Sequence, residues 1–414
     1  MRIHLSFGRG LLALLLVLTI IAGVGCQQSP IQQALTQEAS QYSFSLIGWH
    51  LQNLPIKLVE FASQARMIPA EDEEEQRRLL EDFLAIRGEL RRLQGQLDRE
   101  IALHGATTSE AAELQDLVEL ARARYNASAR QAETIIERRI TCVLADEGLA
   151  ITFDSLQIAF PPVLFVLQHP PNLLVVSPRD RVERLGDMLL SPDLRAEDME
   201  AIEDALCDKH GLSAIVVPLG GVATYPSIVS YDMDLYHSVS VAAHEWTHQH
   251  LALYPLGRTY FRGGVMQEVN EAIADIVGRE VADSLCRFLD EEEPLAADGT
   301  AEDEPTFDYA AEMRVTRVAL DTLLDEGKVA EAESYLEERR VSFVQEGYPI
   351  RKLNQAYFAF YGTYATSPAS VSPVGDQLHE LRSYYTGLGD FVTAVRLLTT
   401  YDGLLDLLAE KRLE

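Results

Sequence analysis

Residues 241–248 have the sequence VAAHEWTH, which contains the pattern H-E-x-x-H. Because side chains four residues apart share one face of an α-helix, His244 and His248 are expected to lie one above the other. Two neutral imidazoles in this arrangement can provide two ligands of a Zn²⁺ site. Glu245 can reach a water at such a metal without ligating the metal, and it can act there as the general base. Small and β-branched residues precede His244, which indicates a buried helix whose polar side chains need partners.

A second motif, NEAIAD at residues 270–275, supplies the remaining ligand. Glu271 lies 23 residues after His248, which leaves room for a loop and the start of a second helix. A catalytic zinc takes three protein ligands and keeps one open position, so His244, His248 and Glu271 predict a site for one Zn²⁺ per chain. Asp275, one turn after Glu271, can accept a hydrogen bond from a ligating histidine and so fix the orientation of its ring. Glu268 is a rival third ligand, and the family resemblance given below, which includes Asp275, favours Glu271 instead.

Together the two motifs resemble those of the gluzincin zinc metallopeptidases, the group that includes thermolysin. In that group the glutamate of the second motif is the third zinc ligand, and the aspartate four residues later supports a ligating histidine. These positions correspond to Glu271 and Asp275. The resemblance covers about residues 213–280. It implies an α+β zincin-like catalytic domain with a small mixed sheet, an active-site helix and a C-terminal helical part, and it implies that the chain hydrolyses peptide or protein substrates.

Length and composition limit the other possibilities. A chain of 414 residues with 47% hydrophobic residues can form one large domain or two ordinary domains. The chain carries a formal net charge of −29 and no basic stripe, so we expect no nucleic-acid partner. The oligomeric state is not predicted.

The N-terminal segment, residues 1–26, has the features of an export signal. A basic start is followed by the apolar run Leu11–Ile21 and then by small residues before Cys26. This pattern resembles the lipidation site of bacterial lipoproteins, although Gly23 stands where a leucine-like residue is usual. A cleaved signal and an uncleaved anchor are the alternatives. We therefore expect an extracytoplasmic protein, a membrane-anchored lipoprotein of a bacterium, that meets the membrane through its N-terminal lipid or anchor.

Residues 27–150 are predicted to be helical. The segment 31–70 has a break at Pro55, and the segment 71–103 has apolar residues at alternating spacings of three and four. Thr107 and Glu110 form a capping-box pattern for a further helix that ends near residue 145. Two long helices joined by a short loop predict an antiparallel hairpin. Such a hairpin can be a structural cover or stalk, or it can be a coiled coil that docks a partner.

Residues 151–414 are assigned to the catalytic domain. Two short β-rich runs, 163–167 and 173–177, flank a turn-like segment and predict a β-hairpin. Further strands are predicted at 214–218 and 222–230, and helices at 179–190, 195–209 and on either side of Glu326-Gly327. In gluzincins an edge strand beside the active-site helix pairs with the substrate backbone. The resemblance therefore implies that residues 221–228 bind an extended peptide, unless they form an ordinary core strand.

An aromatic segment near the C-terminus offers an oxyanion donor. Tyr357, Tyr361 and Tyr364 recur at helical spacing. Gluzincins place a tyrosine or histidine of the C-terminal part near zinc, which makes Tyr361 or Tyr364 a candidate and His379 a weaker one. The alternative is that this aromatic face is core packing.

Two further questions stay open. Cys142, Cys207 and Cys286 can form one disulfide with a spare thiol, or all three can be unpaired. The alternatives to a peptidase are a non-catalytic zinc-fold binding or assembly factor of the cell envelope and a zinc hydrolase of a non-peptide bond.

Overall fold

The computed structural model describes residues 29–64, 73–104, 108–153, 156–260, 264–288, 307–348, 350–362 and 372–413. The predicted export segment, residues 1–26, lies outside these ranges. Cys142, Cys207 and Cys286 are unpaired, which is the second of the two alternatives for them. Among the described helices, none has the length and hydropathy needed to cross a bilayer.

The chain combines many helices with small sheets, which is compatible with an α+β fold. The helices are α1 (Pro30–Ala39), α2 (Leu46–Gln64), α3 (Glu73–His104), α4 (Ser109–Asp146), α5 (Ala196–His210), α6 (Leu235–Leu251), α7 (Pro255–Thr259), α8 (Val265–Phe288), α9 (Tyr309–Asp325), α10 (Val329–Gln345), α11 (Gln355–Tyr361), α12 (Val374–Ser383), α13 (Leu388–Val395) and α14 (Tyr401–Lys411). The strands are β1 (Ala150–Phe153), β2 (Leu156–Ala159), β3 (Phe165–Leu167), β4 (Asn172–Pro178), β5 (Gly186–Leu190), β6 (Leu212–Pro218), β7 (Gly221–Val222) and β8 (Ser227–Val229).

The strands form three sheets. β1 and β2 form an antiparallel pair, the central sheet has the order β5–β4–β6, and the small sheet has the order β3–β8–β7. All pairs are antiparallel except β3 with β8. Side chains of β4 and β6 alternate between two cores, because successive strand residues point to opposite faces. Leu174 and Val216 pack with α1 and α5, whereas Val175 and Ile215 pack with α11.

The predicted helical hairpin is present as α3 and α4. Its apolar seam joins the same hydrophobic cluster as α6 and α8, so the hairpin packs directly on the helices that carry the two motifs. Two details of the prediction are wrong. The N-cap of α4 is Thr108, whose hydroxyl accepts from the N–H of Ala111, and not Thr107. Pro55 does not interrupt the helix, because it lies inside α2.

Two predictions between residues 163 and 190 are wrong. The predicted hairpin does not form, because β3 pairs with β8 of the small sheet while β4 pairs with β5 and β6 of the central sheet. The segment 179–190 was predicted as a helix, but it contains β5. Gly186 weakens a helix at this point, and the following apolar residues pair with the fully buried strand β4. The partner of β3 comes from distant sequence, so local spacing could not identify it.

Other predictions hold or need a smaller correction. The helix predicted at 195–209 is α5, the strand at 214–218 lies within β6, and the helices around Glu326-Gly327 are α9 and α10. The strand predicted at 222–230 is instead two short strands, β7 and β8, which pair antiparallel. β7 is an edge strand of the small sheet and β8 is central, so within the predicted segment 221–228 only the two residues of β7 occupy an edge position.

Candidate metal centre

The two motif helices, α6 and α8, pack closely against each other. α6 begins at the N-cap Asp234, whose carboxylate accepts from the backbone N–H of His237. Gly278 of α8 lies against α6 so tightly that a Cβ there would meet the carbonyl oxygen of Ser240 at 2.6 Å. The absence of a side chain at Gly278 therefore lets the helices approach beside His244, whose Cβ would be 3.3 Å away.

This packing brings together His244, His248 and Glu271, the three predicted ligands. The Nε2 atoms of the histidines are 3.0 Å apart. Oε2 of Glu271 lies 3.4 Å from Nε2 of His244 and 3.5 Å from Nε2 of His248. In a tetrahedral zinc site with ligand bonds of about 2.0–2.1 Å, ligand atoms lie roughly 3.3 Å from one another. The three side chains are therefore spaced to hold a metal ion.

The outer nitrogens of both rings are held by oxygen atoms. Nδ1 of His244 lies 3.0 Å from Oδ1 of Asp275, the contact that the spacing of the second motif predicts. Nδ1 of His248 lies 2.7 Å from Oδ1 of Asn270, a contact that our sequence analysis missed. An amide oxygen only accepts, so Nδ1 of His248 is the donor in this contact, and Nε2 is the nitrogen that faces Glu271. Asn270 directly precedes Glu271 in the second motif, and this position is the one feature of the sequence that could have indicated its contact with a ligating histidine.

The ionisable groups of the cluster have strongly shifted pKa values. Burial acts to lower the pKa of His244, but hydrogen bonds to Asp275 and Glu271 outweigh it and hold the pKa well above its usual value. Burial acts to raise the pKa of Glu271, but the charge of His248 and the hydrogen bonds to both histidines hold it well below its usual range. The metal-free cluster therefore attracts a proton, and a divalent cation can take the same position.

Glu245 is buried beside the cluster but is not one of its three converging groups. Burial raises its pKa, against the opposite influence of His244 and His248. A Cβ on Gly221 would lie 2.6 Å from Oε1 of Glu245, so the backbone of the edge strand β7 passes directly beside this carboxylate.

Other ionisable side chains on the two motif helices, including the rival ligand Glu268, lie apart from the cluster. His237 is exposed and contacts Asp234, and Nδ1 of His250 contacts the carbonyl oxygen of Phe160. Neither they nor Glu268 belong to the group of converging ligand atoms.

A tyrosine that the sequence analysis did not single out contacts the cluster. Tyr260, at the end of α7, donates a 2.7 Å hydrogen bond to Oε1 of Glu271, and its ring packs edge-on against His248. Its pKa is raised by burial and by the neighbouring carboxylate of Glu271. A tyrosine in a short connection carries no periodic signal, so only its position in space identifies it.

The predicted oxyanion donor Tyr361 lies at the end of α11. Its ring packs 4.5 Å from that of Tyr357 and beside the central sheet. The adjacent Phe360 lies under the guanidinium of Arg184, whose charge also influences Tyr260. Tyr364 lies outside the described residues, and His379 lies on α12. The role of Tyr361 remains a prediction.

Comparison with known proteins adds no assignment: no family model, curated protein or solved structure gives a significant match to this chain. The geometry of the cluster is therefore the observation that indicates a function.

Proposed function

We propose that this chain is a zinc metallopeptidase of the gluzincin type that hydrolyses peptide bonds outside the cytoplasm. The observation that carries the proposal is the convergence of two imidazole nitrogens and one carboxylate oxygen within 3.5 Å of one another. A further buried glutamate, Glu245, lies beside these three groups and is not one of the converging ligands. The N-terminal sequence supports export and attachment to a membrane.

In this proposal His244, His248 and Glu271 hold Zn²⁺. The metal would supply a Lewis acid that polarises the scissile carbonyl and acidifies a water. Asp275 and Asn270 keep the two imidazoles oriented with Nε2 toward the ion.

Glu245 acts as the general base that takes a proton from the attacking water and passes it to the leaving amine. Its raised pKa suits this role, because a base whose pKa approaches the working pH both accepts and releases a proton readily.

The edge strand β7 supports a peptide as the substrate class. Its free edge can pair with an extended backbone, and Gly221 keeps that edge close to Glu245. The phenol of Tyr260, which contacts Glu271, is a candidate donor for the oxyanion, with Tyr361 as the alternative from the C-terminal part.

The proposal is tested by metal content and hydrolysis on the same samples. We expect the full chain, purified in mild detergent without chelators, to contain one zinc and to cleave an unfolded protein substrate. His248→Ala should lose the metal. Glu245→Gln should keep the metal and lose about 10²–10⁴-fold in rate, the usual contribution of a general base.

Glu268→Gln is the matched control, because this carboxylate lies on α8 outside the cluster and should affect neither property. A zinc-loaded chain that cuts no peptide but is retained by an envelope protein would favour the binding factor instead. Full activity of Glu245→Gln would falsify the mechanism.

A further inference from the structure

Helix α2 has an unusual division between its two sides. The inner side carries Trp49, Leu54 and Lys57, all buried. Leu54 packs with Leu164 and Tyr225, and Lys57 forms ion pairs inside the protein. This side fixes the helix firmly to the body of the molecule.

The outer side of α2 is exposed and carries no charge. We call it the α2 face. It consists of Ile47, Leu51, Gln52, Pro55, Ile56 and Val59. Leu51 is 75% exposed, Val59 69% and Ile47 62%. A water-facing helix side normally consists of charged and polar residues.

The exposed side of α9 provides a contrast. Val315 and Val318 are also more than half exposed, but Arg314 and Asp325 are exposed on the same helix. Isolated exposed valines among charges are ordinary on a protein surface. A continuous uncharged face on a chain of net charge −29 indicates a surface that is covered in use.

The α2 face alone is too small to bind a second copy of this chain. The face consists of six side chains on one helix, whereas each partner in a standard interface contributes about 20–30 residues and buries roughly 800 Å². A lipid surface requires no such area, because a few apolar side chains of a rigid helix can insert among the headgroups.

The path of the chain also favours a lipid surface. Between Ser29 and Leu46 the chain forms α1, a short 3-10 turn and three further residues. These elements span at most roughly 30 Å. Ser29, the first described residue, is therefore within roughly 30 Å of the first turn of α2, and the chain before it leads to the apolar run Leu11–Ile21, the predicted membrane attachment. The absence of carboxylates from the face matters as well, because the acidic body is repelled by an anionic membrane surface.

We propose that the α2 face lies on a lipid bilayer, with Ile47, Leu51, Ile56 and Val59 at the boundary between headgroups and acyl chains. This role goes beyond the proposed hydrolysis and does not depend on it. It makes the membrane contact a property of the folded body as well as of the N-terminal segment.

The inner side of α2 links this contact to the metal centre. Nδ1 of His50 donates to the carbonyl oxygen of Leu46, so its Nε2 accepts from the hydroxyl of Thr224. Gln249 of α6 holds the same loop through the carbonyl oxygen of Thr224. This loop connects β7 to β8. A helix lying on the bilayer therefore places this loop on the side of α2 away from the lipid, about one helix diameter (roughly 10 Å) from it.

Photo-crosslinking of the full chain in phosphatidylcholine vesicles tests this proposal. The crosslinker p-benzoyl-phenylalanine replaces Leu51 in one sample and Val318 in a matched control. Mass spectrometry identifies the adducts. We expect lipid adducts at position 51 and none above background at position 318. Ile47→Gln with Val59→Gln should reduce the lipid adduct at position 51, and circular dichroism should show an unchanged fold because both sites are exposed.

Three outcomes overturn the proposal. Adducts at position 51 to a second copy of the chain identify a dimer interface. Equal lipid adducts at 51 and 318 show that the N-terminal segment alone brings the body near lipid. The absence of any lipid adduct at 51 leaves the face to a protein partner. None of these readouts involves hydrolysis, so failure here is distinguishable from failure of the proposed peptidase activity.

Discussion

Two helices of this molecule, α4 and α6, each direct a pair of ionisable side chains into the interior. On α4 the pair is Glu133 and Glu137, and on α6 it is His244 and His248. Both pairs are four residues apart, so each pair shares one helical face. Sequence spacing alone does not distinguish them, but their surroundings do.

The pair on α4 is satisfied by the protein itself. Lys57 lies 2.7 Å from Glu133 and 2.9 Å from Glu137. The second oxygen of Glu133 accepts from the backbone N–H of Leu167, and Glu137 accepts from that of Phe165. Every charge has a partner, so this cluster is structural.

The pair on α6 is satisfied only on its outer side. Asp275 and Asn270 occupy the Nδ1 atoms, while both Nε2 atoms and Glu271 converge on one point. No described side-chain cation takes the place that Lys57 takes in the α4 cluster. This difference teaches that a buried polar pair indicates a ligand site when its inward atoms converge with no cationic side chain among them, and a structural role when such a side chain is present.

The largest effect we expect follows removal of the central cation of the α4 cluster. Lys57→Met would leave two buried carboxylates without their counter-ion and should destabilise the fold by about 3–5 kcal/mol. Urea unfolding measures the loss, and the zinc content of the remaining folded chain should not change. Lys328→Met, at an exposed ion pair, is the control. If the two variants are equally stable, the α4 cluster is not the structural counterpart of the metal centre.

A somewhat smaller effect concerns pH. Burial raises the pKa of Glu137 from 4.5 to about 7, although Lys57 and the N–H of Phe165 oppose the shift. As pH rises through this window the unfolded chain releases the proton before the folded chain does, so stability falls with pH. Glu137→Gln keeps an acceptor for Lys57 and Phe165 but removes the titration.

The difference in unfolding free energy between wild type and Glu137→Gln should therefore change by on the order of 3 kcal/mol between pH 4.5 and 7. Glu113→Gln, on the exposed side of α4, is the matched control. A difference that stays flat over this range would mean that Glu137 is ionised throughout.

The smallest effect concerns the residues that orient the metal ligands. Asp275→Ala and Asn270→Ala each free one imidazole, and each should weaken zinc binding by about 10–100-fold. Competition with a chromophoric chelator measures the affinity, and Glu268→Gln should bind as tightly as wild type. Unchanged affinity in both alanine variants would show that helix packing alone positions the histidines.

The sequence predicted those features that depend on local spacing. The positions of His244, His248, Glu271 and Asp275 follow from two helices and a count of residues. The α3–α4 hairpin follows from apolar residues at helical intervals.

Features that depend on contacts between different elements could not be predicted in the same way. The segment 179–190, which was predicted to be a helix, contains β5, because pairing with the buried strand β4 determines its conformation. Tyr260 reaches Glu271 from the end of the short helix α7, and the direction of α7 depends on its packing against the other helices. In the sequence, Glu133 and Glu137 look like an ordinary exposed charged pair. Only the structure shows that β3 and Lys57 contact them.

The carboxylates of α4 also affect how the small sheet can associate. The N–H groups of Phe165 and Leu167 lie on the outer edge of β3, and Glu133 and Glu137 occupy them. An exposed strand edge invites pairing with another molecule and so promotes aggregation. Here that edge is closed, and the opposite edge, β7, is the one beside Glu245. The sheet can therefore grow on one side only, and a strand that joins it there arrives next to the carboxylate proposed to direct its cleavage.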